Sequence, residues 1–171
     1  VVRDNIFLRE GNPLNPYRAA DNERYLRDLD FILDSRIFVV PVSEASDSVD
    51  LLVLTRDVFS LGASFYPRSA TEYRFKVQEA NLAGMGQRLQ VTGIYDSDRI
   101  PHTGKEILYQ KTNLFGSFVN ATIAYTEINT GRSVGEENES AYYLRLDRPL
   151  FQPFARWAGA AELSRNWSRN T

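Results

Sequence analysis

The residues able to do chemistry are few, and their spacing gives them little to do. One histidine and no cysteine occur in 171 residues. Without cysteine there is neither a disulfide framework nor a thiolate metal site. His102 lies in Ile100-Pro101-His102-Thr103-Gly104, a run of turn formers that predicts a solvated loop. A Ser–His–Asp relay would need His102 as its base, and no nucleophile-elbow motif accompanies it. Gly135-Glu136-Glu137-Asn138-Glu139 gathers carboxylates as a calcium loop would, yet lacks the EF-hand spacing and central glycine, so it reads as a solvated polar loop. Gly84-Met85-Gly86 opens a strand rather than a helix and makes no phosphate cradle. The expectation is therefore no active site, no metal, no cofactor, and a role that is not enzymatic.

What the sequence does carry is alternation. From Thr71 to Gln78, Tyr73, Phe75 and Val77 fall on one side of an extended chain, while Glu72, Arg74, Lys76 and Gln78 fall on the other. Successive side chains of a strand point to opposite faces, so one face is greasy and one wet. Asn81-Leu82-Ala83-Gly84-Met85-Gly86 follows as a compact turn of residues that tolerate left-handed backbone. Leu89, Val91, Gly93 and Tyr95 then alternate against Arg88, Gln90 and Thr92, which completes a hairpin. The design returns at Asn113-Leu114-Phe115-Gly116, an interval of 32 residues, and in degenerate form at Pro149-Leu150-Phe151-Gln152. A period of that size equals two strands of about ten residues with a short turn and a longer loop, and it marks a series of hairpins.

Composition sets the outer limits. A net charge of −2 and a pI near 5.5 give no reason to expect nucleic acid as a partner. No run of about 18 apolar residues is present, which excludes a transmembrane helix but not a spanning β-barrel, whose strands are only half apolar. Both ends read as cuts, so the chain is expected to be a piece of something longer.

In chain order, Val1 to Glu10 is ambiguous, and Gly11-Asn12-Pro13-Leu14-Asn15-Pro16 is a breaker. Asn15 suits a helix N-cap and Pro16 the first helical position, so a helix is predicted from Pro16 to Leu29. Its buried side should be Ala19, Ala20, Leu26 and Leu29, with Phe31 and Ile32 plugging the core beyond. Ser35–Val42 and Val49–Thr55 are predicted strands joined by a polar turn at 43–48, giving a small helix-plus-hairpin α+β unit over residues 1–57.

Over residues 58–171 the helix signal vanishes. Strands are predicted at Phe59–Tyr66, Thr71–Glu79, Gln87–Asp96, Lys105–Thr112, Phe118–Ile128, Ser140–Arg148 and Ala155–Asn166. Short connections alternate with longer polar ones, as in an outer-membrane barrel. Most charges share one parity (Arg74, Lys76, Arg88, Glu106, Arg145, Asp147, Arg156, Glu162), and the other parity is apolar. Lys105, Lys111 and Arg165 break the pattern near strand ends, where snorkelling is cheap. Phe115, Phe118, Phe151, Phe154 and Trp157 collect near the turns, as an interfacial girdle would. A soluble β-sandwich or small β-barrel, either a lipocalin-like binding module or an adhesive one, accounts for the periodicity equally well if its core is the apolar face.

Several stretches resemble a known family. Gly11-Asn12-Pro13-Leu14, Asp21-Asn22-Glu23-Arg24-Tyr25-Leu26-Arg27-Asp28-Leu29, Ser35-Arg36-Ile37-Phe38-Val39 and Val49-Asp50-Leu51-Leu52-Val53 together resemble the second half of a POTRA (polypeptide-transport-associated) domain, with its first strand and most of its first helix missing. Val77-Gln78-Glu79-Ala80-Asn81-Leu82-Ala83-Gly84-Met85-Gly86 and Thr112-Asn113-Leu114-Phe115 are similar to the opening of the barrel in the bacterial surface-antigen, or barrel-assembly, superfamily. The resemblance implies a partial POTRA-like periplasmic domain followed by the first strands of an incomplete transmembrane β-barrel, an antiparallel meander in the outer membrane of a Gram-negative bacterium. It further implies a role in outer-membrane protein assembly or translocation. Unfolded outer-membrane protein clients, accessory assembly proteins and the lipid bilayer would be the partners. An exposed sheet edge, either Ile37–Val42 (Ile37, Val39) or Val49–Thr55 (Val49, Leu51, Val53), would take a client strand by β-augmentation. Phe59, Leu61, Gly62 and Phe65 would lie on a gate strand whose pairing Gly62 and Pro67 weaken. Seven strands cannot close a barrel, so the chain is expected to hide its edges by dimerising or otherwise oligomerising, by packing as a sandwich, or by aggregating.

Overall fold

The first helix begins where its cap allows it to. Asn15 Oδ1 accepts from the amides of Tyr17 (2.9 Å) and Arg18 (3.4 Å), and Pro16 occupies the first turn, where a missing N–H costs nothing. In the computed structural model, which describes residues 1–43, 47–128 and 137–170, this helix, α1, spans Pro16–Arg27. It ends two residues before the expected Leu29, because the Asp28 amide already bonds back to Arg24 and Tyr25 as the last turn closes. Ala19, Leu26 and Leu29 are buried as expected, but Ala20 is exposed and Asn22 takes an inward position at 0 % exposure. Asn22 is fully engaged there: its Oδ1 accepts from the Phe7 amide (2.9 Å) and its Nδ2 donates to the Asn5 carbonyl (3.0 Å). A buried amide so paired carries little desolvation penalty.

Strands β1 (Ile32–Pro41) and β2 (Val49–Asp57) form a two-stranded antiparallel hairpin. Leu26, Leu29, Phe31 and Ile32 make the buried cluster beneath it, with Tyr25 and Val53 packed at its margin. β1 starts three residues earlier than expected, since an irregularity between Ile32 and Asp34 lets the strand run into the core plug. The polar turn at 43–48 and the carboxylate-rich run at 135–139 lie partly outside the described residues.

Seven further strands follow and pair strictly in order: β3 (Leu61–Pro67), β4 (Glu72–Glu79), β5 (Gln87–Asp96), β6 (Thr103–Lys111), β7 (Asn120–Thr126), β8 (Glu137–Arg148) and β9 (Gly159–Asn170). The register keeps like faces together across all of them. Phe65, Phe75, Gly93 and Lys105 stand in one row; Val77, Val91, Ile107, Tyr125 and Tyr142 in the next; Leu89, Tyr109, Ile123, Leu144 and Leu163 in a third. One face of the sheet is thus apolar from edge to edge. The gap at Gly93 is closed by its neighbour, since a Cβ there would lie 2.0 Å from the Phe75 ring.

The short turns explain the sequence repeat in backbone terms. Residues 83 and 115 have φ of 54° and 51°, residues 84 and 116 have 69° and 73°, and residues 86 and 118 have 62° and 60°. From the third residue on, the two turns share one backbone plan, while their leading residues differ, Asn81 at φ −141° and Asn113 at φ 53°. In each, the leading asparagine closes the loop with its own side chain. Asn81 Oδ1 accepts from the Gly86 amide (2.8 Å), and Asn113 Oδ1 from the Phe118 amide (2.7 Å). The third copy departs from this plan. Residues 149–158 make a longer connection with Phe151 tucked inward, so β9 starts at Gly159 rather than Ala155.

Asn113 also donates through Nδ2 to the Asp4 carbonyl (2.8 Å) and to Asn5 Oδ1 (2.9 Å), contacts that Asn81 does not make. Replacing Asn113 by Ala should therefore destabilise the chain by about 2–3 kcal/mol, and Asn81 by Ala only about 1 kcal/mol. Urea unfolding midpoints of the two variants, measured under one set of conditions, should show that order, and equal midpoints would refute it.

Candidate functional site

No group of histidine, aspartate and glutamate side chains able to hold a metal ion occurs among the described residues, and the candidate surfaces are strand edges and sheet faces. His102 sits in the loop between β5 and β6, its Nδ1 3.3 Å from the Asp96 carbonyl and its ring beside Tyr95.

The hairpin comes first. Ile37 stands opposite Val53, Val39 opposite Leu51 and Pro41 opposite Val49, so the five residues expected to dock a client share one face. Antiparallel partners alternate between exchanging backbone bonds and turning those groups outward. The Ile37 amide donates outward to Glu23 Oε2 (2.9 Å), and the Ser35 carbonyl accepts from Arg27 Nη1 (3.3 Å). These contacts fix the phase: residues 35, 37, 39 and 41 of β1, and 49, 51, 53 and 55 of β2, turn their backbone groups to the open edges. The two edges are then unequal. On β1, Glu23 and Arg27, themselves ion-paired at 2.7 Å, occupy the positions at 35 and 37, and Pro41 has no N–H to offer. On β2, Val49, Leu51, Val53 and Thr55 have no such side-chain cap among the described residues. Val49, Leu51 and Val53 also line a cleft of about 660 Å³ whose far wall is the segment from Arg3 to Leu14. The opposite face of the hairpin is apolar too, with Phe38 paired to Leu52 and both half exposed.

Of the residues expected on a gate strand, Leu61, Gly62 and Phe65 lie on β3, which pairs only with β4 among the described residues. Phe59 does not belong to the strand. It lies in the connection 58–60 and is 84 % exposed, because β3 starts only where the Ser60 carbonyl has accepted from the Ala80 amide (2.9 Å). Gly62 and Pro67 do not interrupt the ladder, which runs residue for residue from Leu61–Glu79 to Pro67–Tyr73. Pro67 is tolerated because it ends an edge strand.

The apolar face of the sheet is open. Phe75 is 52 % exposed, Val91 39 % and Ile123 51 %, so no second layer of protein covers them. The charged face is the more enclosed one, with Thr92 and Ile94 both at 4 %. The three parity breakers are each provided for. Lys105 pairs with Glu127 (3.5 Å), Lys111 Nζ donates to the Met85 carbonyl, and the Arg165 guanidinium lies 4.5 Å from the Trp167 ring centre.

The sheet and the helical unit meet at the short-turn end, through residues the sequence did not single out for this. Phe118 and Phe151, expected in a girdle, instead stack on one another (centroids 4.1 Å apart) and pack against Phe7 and Tyr25. Their turn reaches the helical unit, and a ring buried among rings gains more than one left at an interface. Tyr25 donates to Asn5 Oδ1 (3.2 Å), and burial pushes its phenol up to about 12, which keeps it a donor at any ordinary pH. Phe115, Phe154 and Trp157 remain exposed at the same end. Arg88 adds an ion pair to Asp30 (2.9 Å).

The Ile37 amide and Arg27 hold the Glu23 carboxyl below its ordinary value of 4.5. A lowered carboxyl pKa stabilises the fold fully above the unfolded value and loses that contribution as pH falls through the folded one. The cap on β1 should therefore contribute fully from neutral pH down to about 4.5 and be lost as pH falls further, through the lowered value of the folded state. Glu23→Ala should speed hydrogen exchange at the Ile37 amide roughly tenfold or more at neutral pH; an unchanged rate would mean that the edge is not capped by this side chain.

No family model and no curated protein sequence matches the chain. Solved structures do match it, among them one described as BamA from Haemophilus ducreyi lacking POTRA domains 1-3, with a TM-score of 0.61 at 19 % identity. The match covers 85 % of this chain and 28 % of that one, so the chain spans about a quarter of that structure's length. Over that share the fold, a mostly antiparallel β-meander with one helix, is like part of that structure.

Proposed function

We propose that this chain is part of an outer-membrane protein assembly or translocation factor, with a non-enzymatic role. Its sheet supplies strands of the membrane wall, and its hairpin serves as a periplasmic docking edge for unfolded outer-membrane protein clients or accessory assembly proteins. The observation that carries the reading is the apolar face, continuous across seven strands in register and left exposed. A soluble lipocalin-like barrel would turn that face inward and its charges outward. The arrangement here is the reverse. In lipid every backbone polar group must be satisfied internally, and a paired antiparallel sheet does this everywhere except at its two margins. The likeness of fold to the BamA structure supports the same reading.

The docking part rests on β2. A row of alternate outward backbone groups beside a cleft is the arrangement that accepts an added strand, with main-chain bonds giving affinity and the adjoining side chains giving preference. On this reading β3, the first strand of the sheet, is the gate.

Phe75→Arg places a charge on the apolar face at mid-strand, where such a change costs about 2–4 kcal/mol in a bilayer. It should lower co-flotation with phosphatidylcholine vesicles by at least thirtyfold, while Lys76→Gln on the other face should leave it unchanged. A chain that stays monomeric in buffer without detergent and does not float would overturn the membrane reading. For the docking edge, Leu51→Pro removes an outward N–H and spares the bonds within the hairpin. Binding of a peptide copied from an outer-membrane barrel strand should be lost in this variant. Binding as tight as that of the unaltered chain would place the docking edge elsewhere.

A further inference from the structure

Where the helical unit meets the short turns there is a cavity of about 360 Å³ floored by Phe118 and Phe151. Three arginines from distant parts of the chain, Arg9, Arg18 and Arg148, converge on it. None of them has a carboxylate within ion-pair distance among the described residues. The lining holds one carboxylate, Asp4, and its side chain is 65 % exposed to solvent. The Nε atoms of Arg18 and Arg148 are buried without a hydrogen-bond partner. Arg18 spends Nη2 on the Phe7 carbonyl (3.3 Å), and the Arg148 guanidinium is held 3.9 Å from the Trp157 ring centre and 5.2 Å from that of Phe151.

Buried donors without partners are costly, and guanidinium groups gathered without counter-charge repel one another. An arrangement of this kind is relieved by an anion that accepts several N–H bonds at once, and planar guanidinium forks match phosphate oxygens. The 113–118 turn and the 149–158 connection expose large apolar side chains: Phe115 fully, and Leu150, Phe154 and Trp157 by more than half. Phosphate-binding donors flanked by exposed rings and a leucine suit a ligand with a charged head and a greasy tail. The cavity also lies at the short-turn end of the apolar sheet, the level at which headgroups would sit.

We propose that the cavity between Arg9, Arg18 and Arg148 binds phosphate, and that the phosphate it takes is the headgroup of an anionic phospholipid. The choice of lipid over free phosphate rests on the membrane reading above. Bound there, the headgroup would bridge α1, through Arg18, and the end of β8, through Arg148, and so fix the helical unit against the bilayer surface.

The test uses the full chain carrying Trp167→Phe, so that Trp157 alone reports. Flotation is compared between vesicles of phosphatidylcholine and vesicles in which part of it is replaced by phosphatidylglycerol. Inorganic phosphate is separately titrated against Trp157 fluorescence in neutral detergent. The expected result is roughly tenfold or greater preference for the anionic vesicles. That preference should be lost in Arg18→Gln with Arg148→Gln and reduced in Arg9→Gln, whose exposed side chain the fold does not need. It should be kept in Arg36→Gln with Arg56→Gln, which removes equal charge elsewhere. Equal flotation on both vesicles overturns this site and leaves the membrane reading standing. Preference that survives in the Arg18 and Arg148 variant overturns it as well, since diffuse charge would then suffice. A phosphate response from Trp157 with flotation on neither vesicle overturns the lipid source together with the membrane reading, and keeps the phosphate site. No response to either ligand overturns the whole proposal.

Discussion

Register is the constraint on which everything else in this molecule depends. A strand repeats every two residues, so a slip of one position between neighbours would move an entire apolar row to the charged side. Six successive pairings hold the rows from Phe65 to Leu163 without such a slip. The result is a sheet with one apolar face and one charged face. The exceptions each have a partner in reach: Lys105 and Lys111 lie near strand ends, whereas Arg165, expected near an end, sits midway along β9 beside the Trp167 ring.

The turns hold that register, and they do so at some cost. Ala83, Phe115 and Phe118 adopt left-handed backbone that non-glycine residues avoid, on the order of 1 kcal/mol each. Asparagine side chains offset it by closing both loops from within. In the second loop the offset goes further, since Phe118 is stacked on Phe151 and Asn113 is bonded to the N-terminal segment. Strain in a turn is thus tied to the docking of a separate unit more than a hundred residues away in the chain.

Parity was fully legible in the sequence, because period two in a strand is a local property. So were the cap at Asn15 and the repeat of Asn-Leu-x-Gly. The part played by the asparagines was not, since spacing reveals recurrence and not which atoms bond. Asn22 and Ala20 exchanged places relative to expectation: a buried amide pattern depends on what the neighbouring segment offers, here the backbone of Asn5 and Phe7. Phe118 and Phe151 looked like interface aromatics because their partners, Phe7 and Tyr25, are remote in sequence. The contrast between the two hairpin edges turned, apart from Pro41, on Glu23 and Arg27 reaching across from α1, which strand patterning cannot register.

Three residues, Val58 to Ser60, join the hairpin to the sheet, and both ends of that link are pinned: Val58 donates to the Phe31 carbonyl and Ser60 accepts from Ala80. A tether that short, roughly 10 Å when extended, has no slack. Any pull or twist applied to β2 is therefore delivered to β3 as load on its ladder with β4, rather than being dissipated in a hinge.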